Sequence, residues 1–266
     1  MCYYIDNMTI YLNIIFFIFG SIFASFLNAF EYRLKNNLNW KNARSECVKC
    51  AKKIKFYDNI PIISFLLLKG RCRNCREKIS WQYPLVELIT GLLFVFIFNY
   101  FYFLNAGFDV WLNIFLNCFI LLVLIFIFLY DLKYMEVSDF VVLGSSAVVF
   151  FCFWFFDIRT IQSMFVSIII GVSFFLLQFL ISKGKWIGGG DIRIAFFMGV
   201  LFNWQNLLLA LWLAYIIGAI IAIFLLIKNK KNMKSEIAFG TFLTLASFIT
   251  LYWGDFIINW YLNFIR

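Results

Sequence analysis

The chain has 266 residues, a mean hydropathy of +0.89, 64% hydrophobic residues and only 14% charged ones, which excludes a soluble domain and reads as an all-α polytopic membrane protein. It holds no His, so His-based catalysis, His metal ligands and the usual pH switch are removed, and proton chemistry must rest on Asp, Glu, Lys, Tyr or Cys. The net charge of +9 admits nucleic acid as a partner until its distribution along the chain is followed.

The first apolar run covers about 10–30. Its N-terminal flank, Met1 to Thr9, has no Lys or Arg and carries Asp6, whereas Arg33 and Lys35 follow the run. That polarity predicts an uncleaved first span with its N-terminus outside and residue 31 onward in the cytoplasm. Further apolar runs fall at about 84–104, 111–130, 138–156, 161–182, 206–227 and 237–260, near the roughly 20 residues that cross a bilayer. A shorter run, 192–202, is either a tilted span or a re-entrant piece, and counting it gives eight transmembrane helices. Threading eight crossings puts 21 of the 23 Lys+Arg on the inner side and leaves only Arg159 and Arg266 outside. Seven crossings would turn the basic loop Lys228-Asn229-Lys230-Lys231 outward. The charge is therefore an orientation signal, helped by anionic lipid, and no nucleic acid is needed as a partner. The 37 Phe read as lipid-facing bulk. The expected organisation is a first transmembrane helix (1–30), a cytoplasmic cysteine-knuckle module (31–83) and a helical membrane domain (84–266).

The 31–83 stretch is too short for an independent core without a metal or disulfides. Cys47-Val48-Lys49-Cys50 and Cys72-Arg73-Asn74-Cys75 form two C-x2-C knuckles 21 residues apart. Paired knuckles suit tetrahedral zinc, each turn presenting two thiolates, and the nearby Lys49, Lys52, Arg71, Arg73 and Arg76 favour thiolates. Two disulfides are the alternative, disfavoured in a reducing cytoplasm. A four-thiolate site has no open position, so zinc here would fold the loop and not catalyse. Cys2, Cys118 and Cys152 stand alone and read as packing residues.

Among the carboxylates, Asp6, Glu31, Glu46, Asp58, Glu77, Asp109, Asp157, Glu236 and Asp255 lie in loops or at segment ends and read as solvated charges. Glu87 is either a first-turn helix charge or a group facing a cavity. Asp131, Glu136 and Asp139 cluster at one inner membrane face, and Asp191 reaches the same face from another helix. For Glu136 and Asp139 a helix N-cap beside Ser138 is the favoured reading. A carboxylate in or beside a bilayer is a functional candidate by default. Gly188-Gly189-Gly190 before Asp191 are expected to allow close backbone approach and positive φ, more than the N-cap alternative for Asp191 requires. Two facing carboxylates suit water-mediated hydrolysis, one taking a proton from water while the other polarises a carbonyl. The glycine loop also offers hydrogen bonds to an extended substrate.

These residues resemble the type IV prepilin peptidase family, bacterial membrane aspartyl proteases of the GxGD kind, over nearly the whole chain. Ser25-Phe26-Leu27-Asn28 followed by Tyr32-Arg33-Leu34 is similar to the family's first helix end, and the two knuckles to its cytoplasmic cysteine module. Asp58-Asn59-Ile60-Pro61, Ser64-Phe65 with Gly70-Arg71-Cys72, and Ile79-Ser80 with Tyr83-Pro84-Leu85-Val86-Glu87-Leu88 are specific matches. Asp131 in Tyr130-Asp131-Leu132-Lys133 falls at the family's first catalytic aspartate, Gly188-Gly189-Gly190-Asp191 at the GxGD motif with the second, and Phe239-Gly240 with Phe242-Leu243 at its last helix. Ser138, Thr241 and Lys35 stand where many members have proline, and Ala24 where they have glycine.

The resemblance implies a peptidase of the cytoplasmic (inner) membrane. It would cleave the leader of prepilins and pseudopilins at the cytoplasmic face, then N-methylate the new terminus with S-adenosyl-L-methionine. Asp131 and Asp191 would be catalytic, Cys47, Cys50, Cys72 and Cys75 would hold zinc, and Asn28, Glu87 and Asp139 are candidates for supporting or methyl-transfer roles. A proton- or cation-coupled transporter using the two aspartates is the alternative. It predicts carboxylates near the bilayer midplane and an internal repeat, and the chain shows no such repeat.

Overall fold

A computed structural model describes residues 7–38, 45–104, 109–228 and 237–265. Cys2, Asp6, Glu236 and most of the basic loop after Lys228 lie outside the described residues. The elements are α1 (Asn7–Lys35), α2 (Ile63–Leu67), α3 (Gln82–Leu104), α4 (Asp109–Tyr134), α5 (Asp139–Phe155), α6 (Ile161–Ser182), α7 (Gly189–Leu201), α8 (Trp204–Ile227) and α9 (Phe239–Ile265), with a 3-10 turn at Phe56–Asn59. Among the described residues there is no named strand. Six helices among the described residues (α1, α3, α4, α6, α8 and α9) are long and apolar enough to cross a membrane. The other two apolar helices are shorter, 17 residues in α5 and 13 in α7.

Local chemistry sets the helix ends. Thr160 Oγ1 caps α6 by accepting from the Ser163 N–H (3.3 Å), and Asn203 Oδ1 caps α8 by accepting from the Asn206 N–H (2.8 Å). At the far end of α6, Lys183 and Gly184 turn left-handed (φ 53° and 75°), and the Gly184 N–H returns to the Phe179 carbonyl (2.9 Å).

The chain divides into two units, Met1–Leu122 and Val123–Arg266. In the first, α1 packs on α3. A Cβ on Gly20 would lie 2.8 Å from the Thr90 carbonyl oxygen and 2.9 Å from Gly91 Cα, so the two backbones meet where neither carries a side chain. Phe16 stacks on Phe98 (4.8 Å), and Asn99 Nδ2 donates to Asn13 Oδ1 (2.9 Å). Ser21, Ala24, Asn28 and Glu31 share the buried stripe of α1, spaced three or four apart. Glu31 is thus no solvated loop charge: α1 runs past its apolar run to Lys35 and carries that carboxylate inside.

In the second unit, α7 packs against α5, α6, α8 and α9. Ile194, Ala195, Phe197, Met198 and Val200 are fully buried, so beyond Arg193 this short helix is apolar on every side.

Candidate active site

Asp131 lies near the end of α4, and α9 begins opposite it. Its Oδ2 accepts the Thr241 N–H (3.0 Å), one of the first-turn donors of α9 that have no partner within their own helix. A Cβ on Gly240 would fall 2.8 Å from Asp131 Oδ2 and 2.7 Å from Ile194 Cδ1. Ile194 stands one turn after Asp191 on α7, so the bare backbone of Gly240 is the point where α4, α7 and α9 meet. Asp131 and Asp191 are both buried and close enough to interact electrostatically.

Asp191 is the third residue of α7, not its cap. Gly188 holds the cap position, and Asp191 Oδ2 reaches back to accept the Gly188 N–H (3.2 Å). The expected positive φ in the glycine triplet is not found. Gly188 sits at φ −78°, ψ 156°, and the left-handed glycines among the described residues are Gly70 and Gly184. The triplet opens a right-handed helix and so needs no unusual backbone; what it needs is room. A Cβ on Gly190 would lie 2.6 Å from Val137 Cγ2, whereas Gly189 has nothing within 4 Å. Close approach is therefore required at Gly190, and the backbone at Gly189 is open.

Asp139 does not cap α5. Ser138 takes that position without a side-chain cap bond, Glu136 lies in the preceding turn, and Asp139 Oδ1 pairs with Arg193 Nη1 of α7 (2.6 Å). Arg193, Gly240 and Thr241 join the site through contacts between distant helices. For Gly240 and Thr241 the family resemblance at the last helix is the one signal in the sequence, and for Arg193 there is none.

In the first unit, the four sulfurs of Cys47, Cys50, Cys72 and Cys75 lie within 4.8 Å of one another. The two knuckles repeat one design. Cys47 N–H bonds the Lys52 carbonyl and Cys72 N–H the Glu77 carbonyl, Glu46 bridges Lys53 and Arg71 bridges Lys78, and Ala51 and Arg76 take positive φ just after each second cysteine. Cys47 Sγ and Cys75 Sγ are 3.8 Å apart, which matches the edge, roughly 3.8 Å, of a tetrahedron with zinc–sulfur bonds near 2.3 Å. The donor set and spacing fit zinc. Hydrogen bonds from the backbone N–H groups of Cys75 and Asn74 bring the Cys72 thiol down to about 7, toward the thiolate a metal needs. Asp58 is not a free solvated charge. It takes a fork from Arg73 (Nε 2.8 Å, Nη2 2.6 Å), which ties the 3-10 turn to the second knuckle.

A cavity of about 920 Å³ lies between this module and the facing ends of α1 and α3, with Asn28 and Glu87 on its wall. The Asn28 amide is buried with both polar atoms lacking a hydrogen-bond partner. Glu87 lies beyond the first turn of α3 and faces the cavity. Its Oε2 accepts the Ile62 N–H (2.8 Å), and Ile62 is the left-handed centre (φ 61°, ψ −53°) of a tight turn closed from the Ile63 N–H to the Pro61 carbonyl (2.5 Å). A β-branched residue is strained there, and the buried carboxylate helps to hold it.

A multi-pass helical protein with a buried aspartate pair on one unit and a four-cysteine metal-type site on the other is the class these features define. The Bacterial Peptidase A24 N-terminal domain profile matches residues 18–101, and the Type IV leader peptidase family profile matches 118–223. The chain is 33% identical to a prepilin leader peptidase/N-methyltransferase of Legionella pneumophila, over 88% of this chain and 81% of that protein. It is 30% identical to one of Pseudomonas aeruginosa (92% and 91%) and 27% identical to one of Bacillus subtilis (94% and 97%). The chain belongs to the type IV leader peptidase family. No solved structure matches it. Nothing in these relatives favours a coupled transporter.

Proposed function

We propose that this protein is an aspartic endopeptidase of the inner membrane that removes the leader of type IV prepilins and pseudopilins at the cytoplasmic face, then N-methylates the new terminus. The observation that carries the first activity is the burial of Asp131 and Asp191 within electrostatic reach of each other, on helices whose neighbours Gly240 and Ile194 are in contact. Two such carboxylates cannot both ionise freely, so the pair shares a proton. The ionised member takes a proton from a water as its oxygen adds to the scissile carbonyl, which the protonated member polarises. The tetrahedral adduct then collapses, the C–N bond breaks, and a proton from the pair passes to the leaving amine. The backbone at Gly189, open to approach, suits an extended substrate strand.

The eight-crossing arrangement with its N-terminus outside puts both aspartates and the 31–83 module on the inner side, and the inward bias of Lys and Arg supports it. Cys47, Cys50, Cys72 and Cys75 would hold zinc as a fold-stabilising ion. S-adenosyl-L-methionine, when bound, supplies an electrophilic methyl group. The cavity walled by Asn28 and Glu87 is our candidate for its place: an unpaired amide offers a donor and an acceptor side by side, and a carboxylate suits a cationic sulfonium or amine.

The test is purified protein with a prepilin and labelled S-adenosyl-L-methionine. Asp131→Asn and Asp191→Asn should each lower leader cleavage by about 10³-fold or more while methylation of an already cleaved substrate persists. Robust cleavage by either variant refutes the assignment.

A further inference from the structure

Arg159 is an exception to the inward bias of positive charge: the threading leaves it on the outer side, in the turn between α5 and α6. It is also half-buried, and its guanidinium has specific partners. Nη1 donates to the Val200 carbonyl (2.8 Å) and approaches the Gly199 carbonyl (3.4 Å), while Nη2 approaches Ser163 Oγ (3.4 Å) and Ser167 Oγ (3.5 Å) on α6. Val200 and Gly199 belong to the last turn of α7, the helix whose first turn carries Asp191.

The last carbonyls of a helix have no intrahelical donor. At the end of α7 the chain turns at once through Phe202 and Asn203 into α8, so no continuing helix supplies one. Phe202 N–H satisfies Met198, and Arg159 reaches the two carbonyls that follow. A cation at this end also complements the helix dipole. At 13 residues, α7 is about 20 Å long, well short of the roughly 30 Å hydrocarbon core. Its ends cannot both be fixed by the two aqueous faces, so its axial position must be set by contacts. Sideways packing supplies some: a Cβ on Gly199 would lie 2.6 Å from Ile168 Cα, and one on Gly171 3.1 Å from the Ala195 carbonyl oxygen. Arg159 is the charged contact at the free end.

We infer that Arg159 is a positioning residue for the peptidase: by capping α7 it fixes the level at which Asp191 meets Asp131. The inference rests on the proposed role of those two aspartates.

The test compares the full-length protein, reconstituted in lipid, with Arg159→Gln and Arg159→Lys. Arg159→Gln should lower kcat for leader cleavage about 10- to 100-fold, the scale of a small misplacement of a catalytic group, with KM unchanged. It should also displace the pH–rate profile of cleavage, because apparent titration of a dyad follows its separation. Zinc content and methylation of a cleaved substrate should stay as in the wild type. Arg159→Lys, which keeps a charged donor, should recover most of the rate. An unchanged kcat in Arg159→Gln, or a loss with an unchanged pH profile, overturns the inference. If Arg159→Gln does not fold, Ser163→Ala with Ser167→Ala removes two partners of the guanidinium, and a smaller displacement of the profile is expected. A wild-type kcat and profile in that double variant overturns the inference equally. Failure of the wild type itself to cleave a prepilin would instead count against the proposed function.

Discussion

Four sulfurs in the amino-terminal unit converge from a loop that leaves Cys75 exposed and the other three half-buried. Two carboxylates in the carboxyl-terminal unit approach each other from separate helices and are buried. Each C-x2-C turn brings its own pair of sulfurs together by local geometry, so the first site waits on a ligand. The second depends on helices closing at a bare glycine, so it waits on packing. One site should therefore fail when its ion is lost and tolerate small volume changes, and the other should behave in the opposite way.

The sharpest test of that contrast is Gly240→Ala. The added methyl group would lie 2.8 Å from Asp131 Oδ2 and 2.7 Å from Ile194 Cδ1, so α9 or one of its neighbours must shift. Leader cleavage should fall about 10²-fold, with zinc content and methylation of a cleaved substrate unchanged. Full activity in this variant would break the comparison, since the aspartates would not then depend on that contact.

Removing the metal should act on the other side. After chelation, trypsin should cut within 47–78, where Lys49 lies inside the first knuckle and Lys52 and Lys53 lie between the knuckles, while α5 to α9 stay protected. Free of metal, Cys72 should be alkylated at a rate that climbs with pH through about 7 and levels off only once the thiol is fully ionised, because hydrogen bonds from the Cys75 and Asn74 N–H groups stabilise its thiolate. Mass spectrometry of the alkylated peptides reads both outcomes.

Thr241→Pro is a milder probe of the packed site. Thr241 is the third residue of α9, where a proline ring is accommodated. The substitution deletes the N–H that Asp131 accepts. Loss of one hydrogen bond to a charged group should lower kcat about tenfold, well short of the Gly240→Ala loss.

The same contrast explains how much could be read beforehand. The knuckles, the long helices and both aspartates were legible, because spacing and hydropathy are local properties. Gly240 and Thr241 entered the sequence reading only through a family resemblance, since what they do depends on a residue more than 100 positions away. The glycine triplet was legible as unusual and half of its reason holds: Gly190 makes the expected close approach, to Val137, whereas no triplet residue takes the expected positive φ. Glu31 was misjudged because α1 continues beyond its apolar run. Asp139 finds its partner, Arg193, across two helices, which a cap rule does not foresee.

The smallest expected effect separates the ion pair of the module from its metal. Arg73 holds Asp58 below the ordinary carboxylate range, chiefly by its hydrogen bond and then by its charge. A depressed carboxylate contributes its stability above its unfolded value, about 4, and loses it only as pH falls through the lower folded value. Zinc binding, in contrast, requires thiolates and weakens as pH falls toward and below 7. Across the whole range in which the module would hold zinc, Asp58 is therefore fully ionised. Asp58→Asn should lower the module's hydrogen-exchange protection around Cys72–Cys75 slightly, as expected for a pair whose arginine is exposed, and by the same amount at every pH between about 6 and 9. A deficit that grows or shrinks across that interval would mean that the pair and the metal site are coupled, and the knuckles would then depend on packing as the aspartates do.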